Sequence, residues 1–443
     1  MTDTRQGEWS GWSGFPRVPG PARVLTAATV DQALADAQTS VLPRGLGRSY
    51  GDVALNSRGC LLLTERLNRV LAFDVASGVL RAEAGLSLAE LIDHVVPRGW
   101  FPAVVPGTRW VSLGGAVAND VHGKNHLSRG SFGCHVRRLA LQRTGEGVIL
   151  CSPDQNGDLF QATIGGLGLT GLIHWVELQL QPLASTAMVQ QVTPVADFDA
   201  LLAELRDPEP AWPYRVAWLD GTAPAKHLGR GLVMRADHAA DAGRLFLPKG
   251  FTRPPRLLPL PPFWATGAGT GWFNQLYRQR HTLFGRRKRT ELAAVFFPLD
   301  GVFDVRRLYG RHYSFFQFQC VVPYARAGDL LALIAQAREQ CQIPRLCTVK
   351  VFGEGAAPGL LSFPMPGVSL AMDFPFVGEN TPRCYQALAN KVYAWGGRLY
   401  PAKDALAETT GFWSNQPNLS RFMPWLDPGF ASSFWLRTRP SGG

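Results

Sequence analysis

Apolar residues along this chain of 443 residues recur in two rhythms. Between Ala22 and about Gln181, short apolar runs alternate with glycine-rich turns. "CLLLTERL", "GVLRAEAG" and "LIHWVELQLQP" read as strands, whereas "SLAELIDHVV" and "DLFQATIG" carry helical spacing. Past Pro182 the dense glycine clusters stop, and aromatic and proline residues take over, as in "PPRLLPLPPFW". There "FFQFQCVV" and "CTVKVFG" predict strands, while "AGDLLALIAQAREQ" and "TPRCYQALANKVYAWGG" predict amphipathic helices ended by turn or glycine signals. The pattern predicts an α+β chain whose second domain, from about 187 to 397, is a sheet with helices on one face. No repeat at a solenoid period interrupts it.

Length supports this reading, because a chain of this size exceeds what one hydrophobic core usually organises. The net charge of +11 favours an anionic partner: a phosphate-bearing small molecule, an acidic membrane surface or nucleic acid. No long block of like charge, zinc-finger spacing or RNP-like signature is present, which sets nucleic acid aside, and no metal site is predicted. The seven cysteines are scattered and never spaced Cys-x-x-Cys, which fits a reducing compartment. The N-terminal stretch lacks the apolar core of a signal peptide, and no apolar run reaches the length of a membrane span. The expectation is a cytoplasmic protein with at most peripheral contact at the inner face of a membrane. Residues 250–290 are rich in proline, tryptophan and arginine and end in "RQRHTLFGRRKRT". They read either as a solvated basic loop or as a mobile lid, with Trp264, Trp272 and the run Arg286, Arg287, Lys288 and Arg289 facing anionic lipid.

Three glycine-rich stretches could cradle a phosphorylated cofactor: "PRGLGRSYGD", "PGTRWVSLGGAVANDVHGKNH" and "GGLGLTG". Glycines admit positive φ and let backbone N–H groups close on a pyrophosphate. The third holds a G-x-G-x-x-G from Gly166 to Gly171, but a helical run precedes it and a strand follows. That order is the reverse of a Rossmann fingerprint. Three such segments within about 130 residues point to one shared ligand.

Taken in order, "RGLGRSYGD", "PGTRWVSLGGAVANDVHGKNHLSRGSFG", "GGLGLTG", "FQFQCVVP", "KVFG", "LSFPMPG" with "MDFP", and "GGRLYPAKD" resemble the decaprenylphosphoryl-β-D-ribose 2-oxidase family of the vanillyl-alcohol oxidase superfamily. The resemblance covers nearly the whole chain and is weakest in the first twenty residues, the basic segment and the tail after Asp404. It implies a two-domain flavoprotein. Residues 1–186 and a return segment, 398–443, would hold FAD, and an antiparallel sheet within 187–397 would cover the substrate side. The implied cofactor residues are Arg44, Gly45, Gly47, Arg48, Ser49, Tyr50, Gly51 and Asp52 in the first loop. In the second they are Gly107, Ser112, Leu113, Gly114, Gly115, Asn119, Asp120, Val121 and His122, with Ile173 and Tyr400 completing the shell. Superfamily members that bind FAD covalently often place a histidine where this chain has Arg48, so non-covalent FAD is expected.

Oxidising a secondary alcohol requires a hydride acceptor and a group that receives the hydroxyl proton. His122 and Lys403 are the leading candidates for the second role, with Tyr50 next. Lys350 alternates with Val349 and Val351, so a strand turns it to the opposite face, where an inward lysine needs an anionic partner. The resemblance places it in the substrate pocket with Lys124, Gln317, Gln319, Ser369 and Ala371, the two glutamines sharing one strand face. Mycobacterial members carry a cysteine at Ala371, and differ also at Ser369 and Phe296, which leaves the substrate less fixed than the cofactor. The implied activity is oxidation of the 2-hydroxyl of a sugar carried on a polyprenyl phosphate. An NAD(P)H-dependent short-chain reductase would complete an epimerisation. The alternatives are a flavin oxidase of a free sugar or aldonolactone, and a non-catalytic flavoprotein scaffold.

Overall fold

Glycine punctuation cuts the first 182 residues into short strands that collect in two sheets. The computed structural model describes residues 3–35, 39–207, 211–240, 245–254, 258, 261–284, 287–300, 306, 309, 314–355 and 357–440. β1 (Asp3–Ser10), β2 (Arg17–Val24), β3 (Val41–Arg44) and β4 (Cys60–Leu63) form a sheet in which β4 runs parallel to both β2 and β3. The second sheet holds β5 (Val70–Asp74), β6 (Val79–Glu83), β7 (Trp100–Pro102), β8 (Val136–Arg143), β9 (Gly147–Cys151) and β10 (Leu172–Pro182), with β10 antiparallel to β6, β7 and β8. Four helices join these strands: α1 (Leu88–Val95), α2 (Leu113–Ala118), α3 (His126–Arg129) and α4 (Gly157–Thr163). A capping box between Ser87 and Glu90 starts α1, whose apolar face, Leu88, Leu91, Ile92 and Val95, is buried. Gly168 and Gly171 take positive φ in the turn from α4 to β10, the helix-then-strand order that the sequence predicts.

The third sheet comprises β11 (Ala187–Val195), β12 (Tyr214–Leu219), β13 (Gly231–His238), β14 (Arg287–Glu291), β15 (Phe315–Val322), β16 (Leu346–Phe352), β17 (Gly367–Pro375) and β18 (Arg398–Leu399). Their order is β14-β11-β13-β12-β16-β17-β15-β18, antiparallel throughout. Between them run α5 (Phe198–Arg206), α6 (Gly267–Phe284), α7 (Leu292–Phe296), α8 (Asp329–Gln340) and α9 (Asn380–Ala394). One face is dry: Leu201, Leu333 and Leu388 of α5, α8 and α9 pack in one core with Val349, Leu370 and Phe318 of the strands. Period-two alternation turns the other set of residues toward the opposite face.

The basic segment departs from the loop reading. Much of it is α6 and the edge strand β14, and α6 lies against the sheet face that α5, α8 and α9 leave open. Arg345 Nη1 donates to Thr270 Oγ1 at 3.1 Å, Asn274 Nδ2 donates to Asp220 Oδ1 at 3.0 Å, and Tyr277 packs edge-on against Trp218 with ring centroids 5.3 Å apart. Arg286 lies outside the described residues. The cysteines also differ from expectation: Cys341 and Cys384 join α8 to α9 as a disulfide, while Cys60, Cys134, Cys151, Cys320 and Cys347 are free. After β18 the chain returns to the first sheet, where Val41 N donates to Gly429 O at 2.8 Å. Among the described residues, no helix is long and apolar enough to cross a membrane.

Candidate active site

A cavity of about 1290 Å³ opens between the glycine loops and the polar-bearing face of the third sheet. It exceeds the roughly 300–1,000 Å³ of a typical single-ligand site. Gly45, Gly47, Arg48, Ser49 and Tyr50 line it from the loop after β3, and Gly107, Ser112, Gly114, Gly115, Asn119, Val121 and His122 from the loop around α2, joined by Ile173 and Tyr400. Gly47 has φ of +62°, which a β-branched side chain would strain. The second loop is pinned by Asp300, which accepts from Thr108 Oγ1 at 2.7 Å and from Arg109 N at 2.8 Å. Neither Arg109 nor Asp300 stands out in the sequence, because what joins them is a contact across 191 residues.

Five expected cofactor residues do not line the cavity; they buttress it. Arg44 donates to Ala54 O and Ser10 O at 2.9 and 2.7 Å. Gly51 sits so close to the return segment that a Cβ would fall 1.7 Å from Asp404 O. Asp52 pairs with Arg437 at 2.9 Å. Leu113, the first residue of α2, is fully buried in the core. Asp120 accepts from Ser131 Oγ, Gly133 N and Ser362 Oγ at 2.8, 2.8 and 2.6 Å, holding the second loop to the segment before β17. Phe296 is likewise a core residue, packed against Phe101 and Tyr214.

The remaining candidates converge at one end. Gln319 Nε2 donates to His122 Nε2 at 3.1 Å and reaches Ser369 Oγ at 3.4 Å. His122 stands among Phe352, Tyr400 and Phe363, with ring centroids 4.9, 5.2 and 5.6 Å away. Burial and the nearby Lys350, His126 and Lys403 hold its pKa well below the ordinary imidazole value, so it is neutral and a weak base. Lys403 Nζ lies 3.2 Å from the centroid of the Tyr50 ring. Burial keeps the Tyr50 phenol protonated, aided by Asp373 and Asp300. Loss of hydration lowers Lys403 to about 7 against the opposing pull of Asp373, lowers Lys124 to about 7, and lowers Lys350 to about 8. Lys124 Nζ donates to the carbonyls of Val295 and Phe296. Lys350 makes no hydrogen bond or ion pair with any described residue.

Asp373 is the residue sequence reasoning missed. It is almost fully buried, accepts from Tyr309 Oη at 2.7 Å and from Gln317 Nε2, and faces Lys403 electrostatically. The signal was present: Asp373 lies two residues past Ala371 and four past Ser369, so strand alternation puts all three on one face.

The loops fit a dinucleotide. A Cβ on Gly107 would meet no atom within 4 Å, so its backbone borders open cavity, and the buried Asn119 Oδ1 and His122 Nδ1 lack partners among the described residues. Residues 21–152 match the FAD binding domain family. The chain is 33% identical over 413 residues to decaprenylphosphoryl-β-D-ribose oxidase of Mycolicibacterium smegmatis, covering 91% of this chain and 88% of that one. Shorter matches include L-gulonolactone oxidase of Mus musculus, 30% identical over 31% of this chain and 31% of its own. An uncharacterized FAD-linked oxidoreductase of Mycobacterium tuberculosis is 31% identical over 43% of this chain and 44% of its own. Fold, cavity and likeness together define an α+β flavoprotein, an FAD-dependent oxidoreductase acting on CH–OH groups. Within that class the chain belongs to the decaprenylphosphoryl-β-D-ribose oxidase family of the vanillyl-alcohol oxidase superfamily.

Proposed function

We propose that this enzyme oxidises the 2-hydroxyl of a pentose or related sugar carried on a polyprenyl phosphate, yielding a keto-sugar. The observation that carries the reading is the convergence of Lys124, Lys350 and Lys403 on one end of the cavity, with Lys350 lacking a partner among the described residues. An ammonium withdrawn from water calls for an anion, which a phosphodiester supplies and a free sugar or aldonolactone does not. The lactone oxidase of mouse, moreover, matches only 31% of the chain. A scaffold role would leave these half-desolvated lysines as pure cost.

Bound FAD supplies the acceptor for the hydride leaving the carbinol carbon. Lys403, poised near 7, takes the hydroxyl proton in its neutral form and returns it to solvent later. His122 and Gln319 orient the hydroxyl rather than deprotonate it, since the imidazole is a weak base and is already held by the amide. Arg48, with Nε on Trp110 O at 3.3 Å, offers no nucleophile for a histidyl link, so the common covalent bond to FAD is not made at this position. The keto product calls for an NAD(P)H-dependent short-chain reductase as pathway partner. In this reading, residues 1–186 with 398–443 form the FAD-binding domain and 187–397 the substrate domain. A cytoplasmic setting is supported by five of the seven cysteines being free and opposed by the single Cys341–Cys384 pair. The outward side of α6, where Trp272 and Leu283 are 64% and 72% exposed, together with the exposed Arg287 and Arg289 of β14, suits contact with an anionic membrane.

Anaerobic titration of the yellow enzyme against polyprenyl-phosphate sugars, free pentoses and aldonolactones tests the reading. Bleaching of flavin absorbance is expected with the lipid-linked sugars. Faster bleaching by a free sugar or lactone would replace the proposal with the alternative.

A further inference from the structure

The cavity wall changes chemistry strand by strand along the third sheet. On β15, β17 and β16 the residues facing the cavity include Gln319, Asp373 and Lys350. On the next three strands they become Tyr214, Val216 and Trp218 of β12, Met234 and Ala236 of β13, and Val192 of β11, with Gln190 of β11 the one amide among them. Register makes this one continuous surface, because Val216 and Val192 both pair with Met234. Phe273 and Tyr277 of α6 cover it, their rings stacked 5.7 Å apart at 9°. Charge returns at the outer edge with Lys288 of β14 and Arg280 of α6. From Lys350 to Lys288 is four strand steps, about 19 Å at the usual strand spacing.

We propose that this apolar slot between β12–β13–β11 and α6 is a binding site for the isoprenoid tail next to the phosphate of the substrate, with Lys350 holding the phosphate and the β14 edge as the exit. The inference rests on the lipid-linked reading above and adds where the lipid runs. A sugar ring fills only the polar end; a mainly aliphatic and aromatic wall continuing for three strands beyond it, with Gln190 its one amide, offers a hydroxylated ligand few partners. The order of the wall, polar then cationic then apolar then cationic, matches a molecule built as sugar, phosphate and hydrocarbon whose far end leaves toward an anionic headgroup layer. Each methylene moved from water into the slot is worth roughly a factor of four in affinity, so a few isoprene units would dominate binding.

The test uses the FAD-loaded enzyme and farnesyl phosphate, a prenyl phosphate without a sugar, bearing a photoreactive diazirine at its far end. After irradiation and peptide mapping, adducts are expected on the peptides holding Val192, Met234 and Tyr277. Excess unlabelled farnesyl phosphate should suppress them, and inorganic phosphate should not. Farnesol should compete at least about tenfold more weakly; equal competition would overturn the role given to Lys350. Met234→Glu, with its FAD content checked by absorbance, should lose at least about tenfold in farnesyl phosphate affinity. Unchanged affinity, or adducts confined to the outward side of α6, would overturn the slot. Labelling in the slot without oxidation of any polyprenyl-phosphate sugar would sink the proposed reaction and keep the site. Oxidation with labelling elsewhere would do the reverse.

Discussion

Lys403 is the residue on which the proposed chemistry turns, because it is the one candidate base whose surroundings leave it near neutrality. Replacing it with alanine should preserve FAD content and cut substrate-dependent flavin reduction by about 10² to 10⁴. A wild-type rate measured by anaerobic stopped flow would remove it from the mechanism. pH separates the lysines. All three lie below the ordinary 10.5, so each loses its charge well before a solvated lysine would. The neutral form of Lys403 grows as pH rises through about 7, so the reduction rate should climb there, with no step from His122 in its usual range. Lys350 becomes uncharged through about 8, so affinity for a prenyl phosphate should fall between about pH 7 and 9. Lys350→Arg, charged throughout, should flatten that fall in a binding titration. A fall that persists unchanged in this variant would assign the anion to another cation.

At the scale of the element, the loop after β3 and the helix α6 each do two jobs. Gly47 lets the loop take φ of +62°, and a Cβ there would sit 2.4 Å from Arg44 Nη2. Gly47→Val therefore strains the backbone and displaces the guanidinium that ties the loop to Ser10 and Ala54. A folded variant with a lower flavin-to-protein absorbance ratio is expected; full occupancy would mean the loop does not approach the cofactor. For α6, the inner side roofs the cavity while Trp272, Leu276 and Leu283 remain exposed. Neutralising Arg287, Lys288 and Arg289 together should weaken sedimentation with anionic liposomes and raise the apparent KM for a long-chain lipid-linked substrate more than for a short soluble one. Unchanged liposome binding would reduce the strand to a solvated edge.

For the molecule as a whole, the return segment closes the cofactor side. Arg437 donates to Asp52 and to Asp404, two carboxylates withdrawn from water, and so clasps the last helix to the first glycine loop. Removing one partner of such a network leaves uncompensated charge, a loss of about 3–5 kcal/mol. Arg437→Ala should lower the thermal midpoint and, because Asp52 follows the glycine loop directly, reduce FAD retention as well. A melting curve that superposes on the wild type would show the clasp to be idle.

The sequence by itself determined what is local or periodic. Strand alternation put Gln317, Gln319 and Lys350 on the cavity side, and the order of helix and strand around Gly166–Gly171 ruled out a Rossmann turn, since both depend only on near neighbours along the chain. The glycine loops were legible for the same reason: positive φ is a property of one residue. Tertiary structure alone decided which polar residues of those loops face the cavity. Asp52 and Asp120 look like cofactor ligands within their motifs, yet their partners Arg437 and Ser362 lie 385 and 242 residues away, and those contacts turn them into braces. The same holds for Asp373, whose burial beside Tyr309 and Gln317 arises from strand pairing, and for α6, whose polar and aromatic composition resembled a loop until the sheet beneath it supplied the face against which a helix could pack. Pairing between distant segments sets burial, and burial sets the charge state of each lysine, so the chemistry of the site was decided at the level the sequence pattern cannot reach.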